Sequence, residues 1–311
     1  MFELRIRGYL WIIVGAACLL VLVVGVVRFN QFGESVARQT FQTERLDLLN
    51  RTRLALASAS EAEKSAVLGA TDEDSRGYAD QAGGATTQAD RLRLELQRLL
   101  EHGGSARERA LLVQFSEVFA KFQRVDTELL ALAVKNTNIK AAALAFGPAS
   151  EAIGDMNAAL SAVVSKSTVW PESRSVVLLA LGAENAVLRN QALLAPHIAE
   201  ESDVRMDEFE ARMKDQAREV QRDLDVLAAL PKLSEDPDLA KAIGAYRTFS
   251  DVKTKILTLS RENTNVRSLS MSLTQKRRVM LVCQETLAAL EQAITDEPGS
   301  GLPRARPASP R

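Results

Sequence analysis

Two amide and cation pairs hold most of the chemical potential of this chain. Asn136 and Lys140 lie one helical turn apart in "KNTNIKAAALAF", and Asn263 with Arg267 repeats the pair 127 residues later in "ENTNVRSLSMSL". An amide and a cation on one helix face suit a carboxylate ligand, the first by hydrogen bonds and the second by charge. The same amides have a structural reading, because a lone Asn in an apolar helical seam fixes register and partner at some cost in stability. Both readings begin from a local anomaly: Asn and Thr compete for backbone hydrogen bonds and are poor helix formers.

Other chemistry is sparse. His102 and His197 have Leu99 and Leu194 three residues earlier, so the Glu-x-x-His ligands of a di-iron bundle are missing and neither metal nor cofactor is expected. His102 beside Gly103-Gly104 and His197 after Pro196 read as loop or helix-end residues. No Gly-rich phosphate loop, nucleophile elbow or Cys cluster occurs, so no catalytic residue is assigned and the chain reads as a non-enzyme. Lys276-Arg277-Arg278 offers charge to an anionic lipid or ligand, but a short basic run reads more simply as a solvated face. A formal net charge of −1 with interleaved signs supplies no basic field for nucleic acid.

The elements that carry these residues are helices. Among 311 residues there are only 5% aromatics, 16 Gly and 9 Pro, with Ala, Leu, Glu and Arg abundant, which is an all-α profile. Tyr9 to Val27 is uncharged and about 28 Å long as a helix, enough for one bilayer core. Its length, and the lack of a small-x-small site before Arg28, favour an uncleaved anchor in contact with membrane lipid over a signal peptide. Residues 1–8 then form a cytoplasmic stub, 28–295 the folded region outside the cytoplasm, and 296–311 a disordered Pro- and Arg-rich tail. Cys18 in the anchor and Cys283 near the far end cannot meet, so no disulfide is expected and Cys283 reads as a packed residue.

Six helices follow the anchor. Capping and breaking residues place them at about Arg28–Leu68, Asp72–Glu101, from Ser105, Pro171–Leu194, to Leu230, and Pro237–Ile294. Ser105 with Glu108 is a capping box. Residues 44–166 and 172–294 are internal repeats. At an offset of 127, Leu112, Phe119, Phe122 and Val125 match Leu239, Tyr246, Phe249 and Val252, and Asn-Thr-Asn matches itself; "EKSAVL" from Glu63 parallels "RNQALL" from Arg189 at an offset of 126. Thr274-Gln275 shows no break where Gly147-Pro148 stands in the first copy, so the third helix is expected to continue through a proline kink; a hairpin there is the alternative. The continuous form gives two stacked four-helix bundles sharing two long antiparallel helices. In steps of 3 and 4 the long helices present Phe115, Phe122, Leu129, Asn136, Ile139 and Phe146, and Phe249, Ile256, Asn263, Val266 and Leu273, so both amides point inward and are expected to face each other.

The anchor, the helical extent and the segment "NTNIK...FGPASEA" resemble the four-helix-bundle sensory domains of bacterial chemoreceptors, and the two-module layout is similar to the helical bimodular kind. The resemblance implies a single-pass inner-membrane protein with a periplasmic input domain, an organic-acid or amino-acid ligand, a homodimer and a membrane signalling partner. It also implies a second membrane helix, a HAMP segment and an output domain, which do not follow Ile294 here. Asn136, Lys140, Asn263 and Arg267 are the candidate ligand-binding residues, and Asn136 and Asn263 the structural seam. A structural or adaptor protein of the envelope, binding a partner through its bundle surface, is the rival.

Overall fold

The computed structural model describes residues 39–296; the expected membrane segment, Cys18 and residues 297–311 lie outside the described residues. The described chain is helical throughout, with no strand among its residues. Helix α1 covers 39–68. It is followed by α2 (Asp72–Gly103), α3 (Ala106–Ala133), α4 (Thr137–Phe146), α5 (Pro148–Ser167), α6 (Ser173–Ala192) and α7 (Leu194–Ala199). Then come α8 (Asp203–Ala228), α9 (Pro237–Glu262), α10 (Thr264–Met271), a π-helical turn (Ser272–Lys276) and α11 (Arg277–Thr295).

Local chemistry sets several boundaries. At α3 the Ser105 hydroxyl accepts from the Glu108 N–H at 3.2 Å and the Glu108 carboxylate accepts from the Ser105 N–H at 3.1 Å, the reciprocal capping box. At α9, Asp236 accepts from the N–H groups of Asp238 and Leu239 ahead of Pro237. Gly147-Pro148 is a kink: Gly147 N–H still donates to Ala143 O and Glu151 N–H to Gly147 O, both at 3.0 Å, and α4 and α5 both pack along α9. A hairpin would instead fold α5 back on α4.

The chain divides into two units. The first draws its described residues from 39–59, 84–122 and 279–296, so it is made of parts of α1, α2, α3 and α11. Its core joins Leu49 and Leu56 from α1, Leu92, Leu96 and Leu100 from α2, the stacked Phe115, Phe119 and Phe122 from α3, and Cys283, Leu287, Leu290 and Ile294 from α11. One apolar face from each of these helices contributes to this shared core. The second unit spans 60–83 and 123–278. Its main core is built from α4, α5, α6, α8 and α9 around Met156, Leu160, Val163, Leu224, Phe249 and Ile256, with many alanines that let the helices approach closely. A small separate cluster of Val67, Leu129 and Ala133 sits at its other end.

The long third and sixth helices of the sequence reading are not continuous. Asn136 (φ 51°) and Asn263 (φ 54°) are the described non-glycine residues with positive φ; Asn263 ends α9 and begins α10, and Asn136 begins α4 after a two-residue turn that follows α3. A left-handed residue re-phases the helix after it, so the buried stripe leaves the expected seam: Ala141, Ala145 and Ala149 are buried while Phe146 is 72% exposed. In the second copy Thr264, Ser268, Ser272 and Lys276 are buried in place of Val266 and Leu273. Burial also aligns α6 and the start of α7 with α1 at an offset of 127 rather than 126: Val176, Ala183, Ala186 and Leu194 match Leu49, Leu56, Ala59 and Val67. Among the described residues one helical run, Ala106–Ser167, is long and apolar enough to cross a membrane by length and composition; it contributes residues to both cores.

Candidate functional site: two Asn-Thr-Asn segments that cap each other

Each Asn-Thr-Asn segment opens a helix, and the first N–H groups of a helix have no partner within it. Here the partners come from the other segment. Thr137 N–H donates to Thr264 Oγ1 at 3.2 Å and Thr264 N–H to Thr137 Oγ1 at 3.1 Å. Asn138 N–H donates to Asn265 Oδ1 and Asn265 N–H to Asn138 Oδ1, both at 3.1 Å. The amides then cross: Asn138 Nδ2 donates to Asn263 Oδ1 at 2.7 Å and Asn265 Nδ2 to Asn136 Oδ1 at 2.9 Å. The result is a pseudo-twofold clasp in which every residue type has a task. The first Asn tolerates the left-handed turn and accepts, the Thr hydroxyl caps, and the second Asn caps and donates.

Asn136 and Asn263 therefore do not pair with each other, as expected from a continuous seam, but each with the third residue of the opposite segment. Their remaining donors go to the helix starts beside them. Asn136 Nδ2 is shared among Ser75 Oγ, Thr71 O and Asp72 Oδ1 at 3.0–3.3 Å, and Asn263 Nδ2 donates to Glu200 O at 2.7 Å. Both Asn residues are buried, and these bonds spend their amides within the protein. Lys140 pairs with Asp72 at 2.9 Å and donates to Lys135 O; Arg267 is exposed. The Lys140 ammonium holds the Asp72 carboxyl below the usual carboxylate range. Thr137, Asn138, Thr264 and Asn265 were missed as site residues, although the repeated third Asn was a signal.

A titratable network lies against one flank of the clasp. His197 is not a loop residue: it sits in α7 at 0% exposure, because Leu194, His197 and Ile198 share the buried side of that short helix. Its Nδ1 meets Ser260 Oγ at 2.8 Å and its Nε2 meets Glu210 Oε1 at 3.0 Å, and His197 O, 3.0 Å from Ser260 Oγ, is the other acceptor within reach of that hydroxyl. Arg261 Nε donates to the same Glu210 oxygen at 2.7 Å. The neutral ring accepts the Ser260 hydroxyl at Nδ1 and donates from Nε2. The charged ring donates at both nitrogens, with the hydroxyl turned to His197 O. Burial pushes the imidazole below its ordinary value against the opposing pull of Glu210, while Arg261 holds the Glu210 carboxyl low. The network reaches the clasp through α7, whose neighbouring Ile198 O takes the other Asn138 Nδ2 hydrogen at 2.6 Å. Ser, His and Glu in contact suggest a hydrolytic triad, but Ser260 and His197 are both fully buried and leave no room for a substrate.

The opposite flank holds a second polar island. Lys276, expected on a solvated face, is 1% exposed on the π-helical turn and pairs with buried Asp126. Glu63 is 0% exposed beside them. Ser272 and Lys276 lie close enough to favour its ionised form, but neither carboxylate oxygen has a well-aligned hydrogen bond, so burial wins and pushes the carboxyl up.

In the first unit, a groove of about 470 Å³ runs between α2 and α3, with Leu100, Leu112 and Val113 along it and Arg93, Arg109, Glu101 and Glu117 at its edges. Its size suits a small molecule, and both signs of charge are present. No group of three or more His, Cys, Asp or Glu side chains that fits a metal ion occurs among the described residues. Comparison with protein-family models, with curated proteins and with solved structures finds no match for this chain.

Proposed function

We propose that this chain is a membrane-anchored sensory module of the kind the chemoreceptor input domains represent, with the α2/α3 groove as the ligand site and the clasp as its conformational element. The clasp carries the reading. Two long helical runs are broken at repeat-equivalent positions within the second unit and held there by side chains that cap the opposite segment's N–H groups and by two crossed amide bonds, a set of specific and reversible contacts. The ligand is a small organic or amino acid, its carboxylate drawn to Arg93 or Arg109 and an amino group, where present, to Glu101 or Glu117. Asn136 and Asn263 are structural in this reading, and Lys140 and Arg267 do not touch the ligand.

The test is thermal unfolding of the full chain in lipid nanodiscs against a panel of organic and amino acids. A true ligand at 100 times its Kd raises stability by about 2.7 kcal/mol, and Arg93→Ala with Arg109→Ala abolishes the rise. A panel without any shift overturns the sensory reading. The envelope-adaptor reading then takes its place, favoured by an exposed leucine face on α6.

A further inference from the structure

Helix α6 buries one face and exposes another that is no less apolar. Val176, Ala180, Ala183, Ala186 and Val187 enter the core of the second unit. On the far side Leu178, Leu181 and Leu188 are 62%, 54% and 45% exposed. Asn185 and Ala192, also exposed, complete the 3-4-3-4 spacing of the stripe. The repeat copy shows that this face is not inherited from the bundle plan: at an offset of 127, α1 has Arg51, Leu54, Ser58 and Glu61, a mixed and partly charged surface. Of the two copies, α6 presents the pattern of a coiled-coil seam, with leucines at one a and two d positions and a single Asn at the next a position, the device that sets register and two-strandedness.

Charge selects the direction of pairing. In this register Glu184 takes a g position and Arg189 the e position five residues on. Parallel strands bring g of one chain against that e of the other, joining opposite charges; antiparallel strands bring g against g and e against e, joining like ones. Arg189 now holds Glu219 on α8 at 2.7 Å across a half-exposed surface, a pair that a second carboxylate can share. We propose that this face of α6 is the docking surface for the α6 of a second copy of this chain, in parallel, with Leu178, Leu181, Asn185 and Leu188 in the seam and Glu184 against Arg189 of the other copy. The stripe is smaller than the ~800 Å² per partner of a standard stable interface, so the association is reversible. It does not rest on ligand sensing, because its test reads association alone.

The experiment uses the full chain with Cys18→Ser in lipid nanodiscs or liposomes at high protein density, leaving buried Cys283 in place. Under mild oxidation Leu178→Cys and Asn185→Cys each give a disulfide-linked dimer, while Arg212→Cys, exposed on neighbouring α8, gives only the background yield. Because Leu178 lies at one end of the stripe, its self-linkage reports parallel strands. Leu181→Asp lowers the Asn185→Cys yield by about tenfold without changing the helical melting curve, since the residue is exposed. Glu184→Arg lowers the yield, and Glu184→Arg with Arg189→Glu restores it. Cross-linking no better at positions 178 and 185 than at 212, or a yield indifferent to Leu181→Asp, overturns the proposal.

Discussion

The two flanks of the clasp solve the same problem differently. On one side the Asp126 and Lys276 charges are sealed together beside a buried carboxyl, in the part of the second unit that also holds the small Val67, Leu129 and Ala133 cluster. On the other side His197 is buried, but its partners Glu210 and Arg261 stand about a third exposed and carry the charge out to solvent. The residues that match His197 and Ser260 in the first repeat are Ala70 and Ala133, so the histidine network belongs to one copy only. The symmetry of the clasp is thus a symmetry of hydrogen bonds, while its surroundings are asymmetric in the way they respond to protons.

That contrast breaks most sharply at the sealed pair. Lys276→Met alone strands Asp126 in the interior and is expected to cost about 3–5 kcal/mol in chemical denaturation, whereas Lys276→Met with Asp126→Leu recovers most of it. If the single and double variants are equally unstable, the pair is not desolvated as described. Next is Asn263→Ala, which loses the Asn138 and Glu200 bonds and puts a Cβ residue without side-chain compensation at φ 54°, for about 3 kcal/mol. Asn263→Gly keeps the turn and is expected to recover about 1 kcal/mol of that loss. Thr137→Val and Thr264→Val each remove one reciprocal cap and are each expected to cost about 1 kcal/mol; no loss in either variant would mean that the two segments do not cap each other.

The smallest effects separate the flanks by pH. The folded-state value of His197 is depressed below the ordinary 6.5, so the unfolded chain binds its proton more readily, and stability present above about pH 6.5 is lost as pH falls through the folded value. Glu63 is raised above the ordinary 4.5, so its contribution is full below about pH 4.5 and is lost as pH rises through its folded value. Denaturation midpoints from pH 4 to 8 should therefore lose their acid-side decline in His197→Gln and their opposing rise in Glu63→Gln. Unchanged profiles in both would remove the proton asymmetry altogether.

Much of this was legible in the residues, because it depends on local rules. Ser105 and Glu108 are three apart, and a capping box needs nothing further. Pro237 after Asp236 opens a helix by its own chemistry. The repeat announced itself by fixed spacing, and with it the correspondence of Asn136 and Asn263. Their left-handed turns were accessible too, since Asn is among the few residues that visit that region routinely, but the apolar periodicity on either side argued for an unbroken helix. One residue of altered phase then moved Phe146 from the expected core to solvent and brought Lys276 inside.

His197 shows the limit from the other direction. Its partners Glu210 and Ser260 lie 13 and 63 residues away, and no spacing rule links them. What the sequence determined by itself is whatever neighbours along the chain decide: the helical character of the described residues, most helix ends, and the duplication that makes a clasp conceivable. Tertiary structure alone decided which N–H groups found which caps, because unsatisfied donors at a helix start accept any suitable oxygen that packing brings within about 3 Å. It also decided which charges were sealed from water, since burial depends on the helices that close around a side chain and not on the side chain's own type.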